Sequence, residues 1–202
     1  MTQPKPRLVL GSASPRRKEL LTLVGYQYDV IKPDIEEVPR AGESPTAYVR
    51  RNAKEKALAV AGKIQDGPAS IIISADTIVV LGTDILEKPA DSAHAVAMLR
   101  RLSGREHTVV SGVFLLGAGK GQAVTDEFVV TTKVKIKELN EAEIAAYVRT
   151  GEPLDKAGGY AAQGIGSYMV ERIEGSYANV VGLPIAEVVE RLASQFHYSL
   201  WS

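Results

Sequence analysis

The stretch at residues 8–17, LVLGSASPRR, decides how this chain folds, because it runs an apolar strand through a small-residue loop into a helix. Ser14 is a good N-cap, and Pro15 suits the first helical position, where a missing N–H costs nothing. The helix beginning there aims free N–H groups and its positive dipole end at the loop, and Arg16 and Arg17 add charge for holding phosphate oxygens. The stretch therefore predicts an anion site. An ordinary strand–helix junction with two solvated arginines is the alternative.

The composition indicates a single globular domain over residues 1–202, since 45% hydrophobic residues can build a sizeable core. Lys plus Arg equals Asp plus Glu at 24 each, so the electrostatic footprint of a duplex-binding protein is missing. With 6% aromatic residues, a stacking platform for single strands is not indicated either. The sequence contains no cysteine and no segment long and apolar enough to span a bilayer. We expect a cytoplasmic protein with no duplex nucleic acid and no membrane as partner.

A second Ser-Pro pair, at residues 44 and 45, predicts another helix, running to about residue 61. Steps of four, three and four place four residues on the face expected to turn inward: Val49, Ala53, Lys56 and Val60. Lys54 lies on a different face. An inward lysine needs an anion, so Lys56 is a candidate site residue.

Residues 70–81, SIIISADTIVVL, read as a buried strand interrupted by one carboxylate, Asp76. An aspartate in that setting must be neutralised, hydrogen-bonded, paired or metal-bound. One interpretation is a structural ion pair with Lys56 or Lys88. The other is a functional carboxylate, which we favour because perturbed carboxylates clustered with lysines are commonly functional. The turn at residues 82–84 predicts a hairpin that returns Lys88 toward Asp76.

The acidic segment at residues 34–37 offers a second carboxylate. Glu36 or Glu37 could supply oxygen to a hard cation, which prefers such ligands and keeps several waters. A solvated acidic loop is the alternative. The three histidines, His94, His107 and His197, are far apart in the sequence and lack metal-ligand spacing, so we expect surface or packing roles for them.

The rest of the chain continues to mix helices and strands. We expect, in order, a first helix ending near Gly25, a strand at about 28–31, a helix capped by Asp91 and closed near Gly104, strands at about 107–116 and 124–137, a helix with an Asn140 and Glu143 capping box closed by Gly151, a strand at 167–173 and a helix at 184–196. The many glycines at residues 151–166 indicate close backbone approach to a bound molecule, or a mobile loop. The class is α/β.

Five motifs occur in order along the chain: GSASPRR at 11–17, SADT at 74–77, EKP at 87–89, GEPLDKAGGY with a following Gln-Gly at 151–164, and NVVGLP at 179–184. Together they resemble the Maf family of nucleoside triphosphate pyrophosphatases over nearly the whole chain. The resemblance implies a fold like inosine triphosphate pyrophosphatase (Maf/Ham1): an elongated mixed sheet flanked by helices, with two lobes and a central cleft. It also implies hydrolysis of a nucleoside triphosphate to the monophosphate and pyrophosphate, by metal-assisted attack of water at the α-phosphorus.

The resemblance further implies residue roles. Asp76 matches the family's catalytic aspartate, and it would share a divalent ion, Mg²⁺ or Mn²⁺, with Glu37. The positions that match the other phosphate- and metal-handling residues are Ser12, Arg17, Lys56 and Lys88. The positions associated with substrate choice are Arg16, Thr77 and Gln163, and they are similar to those of the subgroup acting on dTTP and UTP.

Two alternatives to this activity remain open at this point. One is the same fold acting on a different nucleotide such as 7-methyl-GTP. The other is a nucleotide-sensing regulator of septum formation, which would bind a triphosphate without releasing pyrophosphate. A homodimer is a further expectation.

Overall fold

The computed structural model describes residues 5–64, 69–118 and 123–200. The strands are β1 (Arg7–Leu10), β2 (Asp29–Val30), β3 (Ser70–Leu81), β4 (Asp84–Leu86), β5 (Glu106–Ala118), β6 (Val124–Ile136) and β7 (Val170–Glu174). The α-helices are α1 (Pro15–Leu23), α2 (Pro45–Ala61), α3 (Ser92–Leu102), α4 (Glu141–Arg149), α5 (Tyr177–Val181) and α6 (Ile185–Phe196). Within these described ranges, 3₁₀ helices lie at Glu152–Asp155, Ala157–Gly159 and Gly164–Met169.

The strands form one mixed sheet in the order β2-β1-β3-β5-β6-β7, with β4 pairing β3. Strand β1 is parallel to both β2 and β3, whereas β4 and β7 run antiparallel to β3 and β6. The predicted α/β class with a mixed sheet is therefore confirmed.

The chain divides into two compact units. Unit 1 comprises Met1–Asp76, Ser111–Val129 and Gly182–Ser202, and unit 2 comprises Thr77–Val110 and Val130–Val181. The single functional domain and the central cleft both stay predictions.

In unit 1, helix α2 packs directly on the sheet. Its Ala53, Ala57 and Val60 are fully buried against apolar residues of the strands. A Cβ atom at Gly112 of β5 would lie 2.6 Å from the backbone of Val49, so only glycine admits this helix–strand approach. The Ser74 hydroxyl, buried in β3, donates to the Ala53 carbonyl at 2.8 Å and fixes the helix against that strand.

In unit 2, helices α3 and α4 bury their apolar faces in a second core. Leu99 and Leu102 of α3 and Ile144 and Tyr147 of α4 are at most 2% exposed and pack with strand residues such as Val134. The apolar residues of each helix recur at spacings of three and four, which match the helical period and bring them to one face.

Most expected elements occur close to their expected bounds, because their caps are local chemical signals. Helix α1 begins after Ser14, although the Ser14 side chain makes no capping hydrogen bond. The Asp91 cap and the capping box of Asn140 and Glu143 form as predicted. The expected strand at 167–173 begins only at Val170, because residues 164–169 form a 3₁₀ helix instead. No helix in the described part of the chain is long and apolar enough to cross a membrane.

His107 of β5 is a buried polar group in unit 2, 3% exposed. Its Nε2 lies 2.7 Å from the Tyr160 hydroxyl, and its Nδ1 has no hydrogen-bond partner among the described residues. Burial lowers the pKa of His107 to about 4. The imidazole is therefore neutral in the folded protein at physiological pH.

This burial predicts a loss of stability on mild acidification. An unfolded histidine binds a proton near pH 6.5, whereas the folded ring does so only near pH 4. Protons thus favour the unfolded state between these two values, and the free energy of unfolding should fall by about 2 kcal/mol from pH 7 to pH 5. Urea titrations at both pH values measure this. His107→Gln should remove this fall in the free energy of unfolding between pH 7 and pH 5, and exposed His94→Gln should retain it. An equal fall in both variants would refute the assignment of the pH dependence to His107.

Candidate active site

Three side chains converge at the centre of the candidate site in unit 1. The Lys56 ammonium lies 2.7 Å from a carboxylate oxygen of Asp76 and 2.7 Å from one of Glu37. The side chains of Lys56 and Asp76 are 7% and 8% exposed, and that of Glu37 is 44% exposed. The cluster therefore has a buried ion pair and one carboxylate that also reaches solvent.

The backbone around the cluster explains why these groups meet. Lys56 lies on the buried face of α2 together with Ala53, as the helical spacing predicts, while Lys54 is exposed. The bond from Ser74 to Ala53 joins α2 to β3 two residues before Asp76 and one helical turn before Lys56. This contact sets the register of helix and strand from which the ion pair forms.

The Asp76 carboxylate is held ionised. Burial by itself raises the pKa of an aspartate, but the charge of Lys56 and hydrogen bonds from Lys56 and Asn52 outweigh that effect and lower the pKa of Asp76. The predicted ion pair between Asp76 and Lys56 is confirmed. The Asp76 carboxylate therefore stays negatively charged at neutral pH.

Asn52 is a member of the site that the sequence reasoning missed. Its side-chain amide is fully buried and donates to the second Asp76 oxygen at 2.9 Å. Arg51 Nη1 donates to the side-chain oxygen Oδ1 of Asn52 at 3.1 Å, which fixes the direction of the amide. The available signal was helical spacing, since Asn52 precedes Lys56 by one turn on the same face.

The loop after β1 is organised by Arg17. Arg17 donates through Nε to the Gly182 carbonyl at 2.8 Å, and through Nη1 to the Ala75 carbonyl at 2.8 Å and to Ser12 Oγ at 3.3 Å. Burial lowers the pKa of Arg17, and the negative charges of Asp76 and Glu37 oppose that change. The alternative of two solvated arginines is therefore wrong for Arg17.

Ser12 and Arg16 complete the loop. The Ser12 side chain is 5% exposed, and besides Arg17 its Oγ accepts a hydrogen bond from Ser14 N at 3.2 Å. Arg16 is half-buried, and its charge acts on Arg17. The loop thus combines buried donors with cationic groups, as an anion site requires.

The remaining candidates lie in unit 2. Thr77 follows Asp76 directly in β3 and is half-buried, Lys88 is exposed after β4, and Gln163 is half-buried before the last 3₁₀ helix. The structure therefore brings Ser12, Arg17, Glu37, Lys56 and Asp76 together in unit 1. The expected approach of Lys88 to Asp76 stays a prediction.

The donor chemistry fits a hard divalent cation. No group of three or more His, Cys, Asp or Glu that could hold a metal occurs among residues 5–64, 69–118 and 123–200. However, Glu37 and Asp76 already direct oxygens at one shared cation, the Lys56 ammonium. Mg²⁺ is commonly bound by one or two carboxylates with substrate phosphates and waters supplying the other ligands. Two convergent carboxylates match that pattern.

The chain is similar to known proteins over nearly its whole length. A sequence profile described as Maf-like protein matches residues 7–195. A protein of Geobacter sulfurreducens named dTTP/UTP pyrophosphatase is 50% identical over 188 residues, which is 93% of this chain and 96% of that protein. A Vibrio cholerae protein with the same name is 49% identical over 186 residues, covering 92% and 96%. A structure of the Staphylococcus aureus Ham1 protein aligns with 81% of this chain and 79% of the Ham1 chain, at 17% identity and a TM-score of 0.40.

Proposed function

The chain belongs to the Maf family, and we propose that it hydrolyses nucleoside triphosphates, dTTP and UTP foremost, to the monophosphate and pyrophosphate. The observation that carries the chemistry is the buried Lys56 shared by the carboxylates of Asp76 and Glu37. An ammonium and an ionised carboxylate side by side can bind a phosphoryl group and direct a water at it. The activity is that of a hydrolase acting on acid anhydrides.

Cationic and donor groups bind the triphosphate. We assign this role to Ser12, Arg16 and Arg17 at the start of α1, and to the ammonium groups of Lys56 and Lys88. Several cations are needed because a triphosphate carries multiple negative charges, and bound donors stabilise the charge that shifts to pyrophosphate as it leaves. Arg17 also holds the loop in shape through its bonds to the carbonyls of Ala75 and Gly182.

Asp76 acts on the attacking water. Its carboxylate stays ionised and its orientation is fixed by Lys56 and Asn52. It can therefore accept a proton from the water as the water oxygen bonds to the α-phosphorus. At the same time the bond breaks between the α-phosphorus and the bridging oxygen, which leaves with pyrophosphate.

Asp76 and Glu37 are also the residues that would hold Mg²⁺ or Mn²⁺. The chemistry such an ion supplies when bound is neutralisation of phosphate charge and a lower pKa for a coordinated water.

Substrate choice falls to Arg16, Thr77 and Gln163. Uracil and thymine present one ring N–H between two carbonyls, an edge that a side-chain amide with nearby backbone can match. Gln163 supplies such an amide from a glycine-rich loop. A large methylated purine does not fit the same contacts.

The proposal predicts the ranking of a nucleotide panel. dTTP and UTP should have the highest kcat/KM for pyrophosphate release, above CTP, the purine triphosphates and 7-methyl-GTP. Gln163→Ala should reduce the preference for UTP over CTP by about tenfold or more, because an unmade hydrogen bond to a buried polar group costs about 1–3 kcal/mol. Exposed Gln195→Ala is the matched control. A wild-type preference for 7-methyl-GTP, or an unchanged ranking in Gln163→Ala, would contradict the substrate assignment.

The same panel separates the enzyme from the regulator. A nucleotide sensor would bind triphosphates and release no pyrophosphate with any of them. We further propose that residues 1–202 function as one domain in the cytoplasm. A homodimer remains a prediction.

A further inference from the structure

The loop that carries Gln163 is held on both sides by side chains of unit 2. The Glu152 carboxylate accepts hydrogen bonds from the backbone N–H of Ile165 at 3.1 Å and of Gly166 at 2.8 Å. On the other side of Gln163, the Tyr147 hydroxyl accepts one from the backbone N–H of Ala161 at 3.1 Å. Two side chains therefore fix the backbone two residues before Gln163 and two to three residues after it.

The two anchors are themselves linked and rigidly placed. Tyr147 is 2% exposed in the core of α4, and burial together with a hydrogen bond to the Glu152 carboxylate raises the pKa of Tyr147. Helix α4 ends two residues before Gly151, whose φ of 76° turns the chain into the 3₁₀ helix that begins with Glu152. The Glu152 N–H donates to Thr150 Oγ1 at 3.2 Å. Tyr147 therefore lies within α4, and Glu152 lies directly after it.

The loop glycines match this arrangement. A Cβ at Gly164 would lie 2.2 Å from Glu152 Oε1, and φ at Gly164 is +68°. A Cβ at Gly166 would lie 2.6 Å from the Tyr147 hydroxyl. Glycine at 164 is favoured by its positive φ, and glycine at 166 is required by the close approach to the Tyr147 hydroxyl and to the Ala161 carbonyl oxygen, which would lie 2.7 Å from its Cβ.

We propose that Tyr147 and Glu152 are positioning residues for substrate selection, because they fix the backbone on both sides of Gln163 and so fix the point from which its side-chain amide extends. The inference rests on the proposed function, in which Gln163 reads the pyrimidine edge. A mobile loop would let the amide shift to match either UTP or CTP. A fixed loop holds the amide where it can hydrogen-bond to only one pattern of donors and acceptors on the base.

Tyr147→Phe and Glu152→Gln test the proposal with little change in volume. Tyr147→Phe removes the acceptor for Ala161, and Glu152→Gln replaces one of two acceptor oxygens by an NH₂ group that cannot accept. Tyr168→Phe and Glu171→Gln are the controls. Both residues are exposed and lie shortly after Gln163, Tyr168 in the last 3₁₀ helix and Glu171 in β7. Two quantities are measured on each full-length variant: the ratio of kcat/KM for UTP over CTP, and hydrogen exchange of the amides at residues 161–166.

In both anchor variants we expect amide exchange at residues 161–166 to accelerate about tenfold. We expect the UTP over CTP ratio to fall about threefold or more, and by no more than in Gln163→Ala. The controls should change neither quantity. Faster exchange with an unchanged ratio would overturn the positioning role, and unchanged exchange would overturn the anchoring itself, while both results leave the pyrophosphatase assignment standing. If Gln163→Ala leaves the ratio unchanged, the base-reading assignment fails and this inference fails with it.

Discussion

Asp76→Asn should lower kcat for pyrophosphate release by at least about a hundredfold, the low end for loss of a positioned general base. The amide is nearly isosteric with the carboxylate, but it is neutral, cannot take a proton from water and is a poor ligand for a hard cation. The fold should persist because Lys56 keeps its second partner, Glu37, at 2.7 Å. The measurement is single-substrate kinetics with dTTP, together with a thermal melt of the same sample.

A matched variant separates the site from a general effect of charge. Asp34 is an exposed aspartate in unit 1 that also pairs with a lysine, Lys63, at 2.6 Å. Asp34→Asn makes the same chemical change outside the cluster and should leave kcat at the wild-type value. Near-normal turnover in Asp76→Asn would remove Asp76 from the chemistry and leave the buried ion pair as a structural feature only.

Helical and strand periodicity predicted the part of the site that depends on local spacing. The face of α2 that carries Lys56 follows from steps of three and four, and the contrast between buried Lys56 and exposed Lys54 is confirmed. Asp76 was recognisable because a single carboxylate interrupts an apolar strand. Both signals lie within one element and need no knowledge of what packs against it.

Contacts between distant segments were not predictable in the same way. The bonds of Arg17 to the carbonyls of Ala75 and Gly182 join residues separated by 58 and 165 positions. Backbone acceptors carry no residue-specific signal, so the sequence did not distinguish buried Arg17 from half-buried Arg16. Asn52 was missed for a related reason, since its place on the same helical face as Lys56 does not show that its amide bonds to Asp76 of a different element.

At the end of the glycine-rich segment, the secondary structure predicted from the sequence was wrong. Residues 167–169 read as strand from their composition, yet they belong to a 3₁₀ helix that begins at Gly164. The backbone N–H groups at Ile165 and Gly166 are satisfied by the Glu152 carboxylate. A side chain from the preceding turn therefore overrides the local β propensity.

Lys56→Met should remove activity and also destabilise the protein. Lys56 is the cation between two carboxylates, and its own side chain is 7% exposed. Methionine keeps the apolar stem but leaves buried Asp76 facing Glu37 without the ammonium, and breaking a buried ion pair by removing one partner costs about 3–5 kcal/mol. For a protein of this size we expect Tm to fall by about 10 °C. Turnover should fall at least as far as in Asp76→Asn, because triphosphate binding and the orientation of Asp76 are lost together.

The dependence of this destabilisation on pH identifies its electrostatic origin. Burial is the largest single influence on Asp76 and raises its pKa, while the charge and hydrogen bond of Lys56 lower it. Removing Lys56 should therefore raise the pKa of Asp76 above its unfolded value, so that the folded variant binds a proton more readily than the unfolded chain does. The Tm difference between wild type and Lys56→Met should therefore shrink as pH falls from 8 to 5. The contribution of His107 is common to both proteins and cancels in that difference. Exposed Lys54→Met, two residues away on the same helix, should change neither Tm nor turnover. Equal effects at positions 54 and 56 would refute the assignment of Lys56 to the inward face.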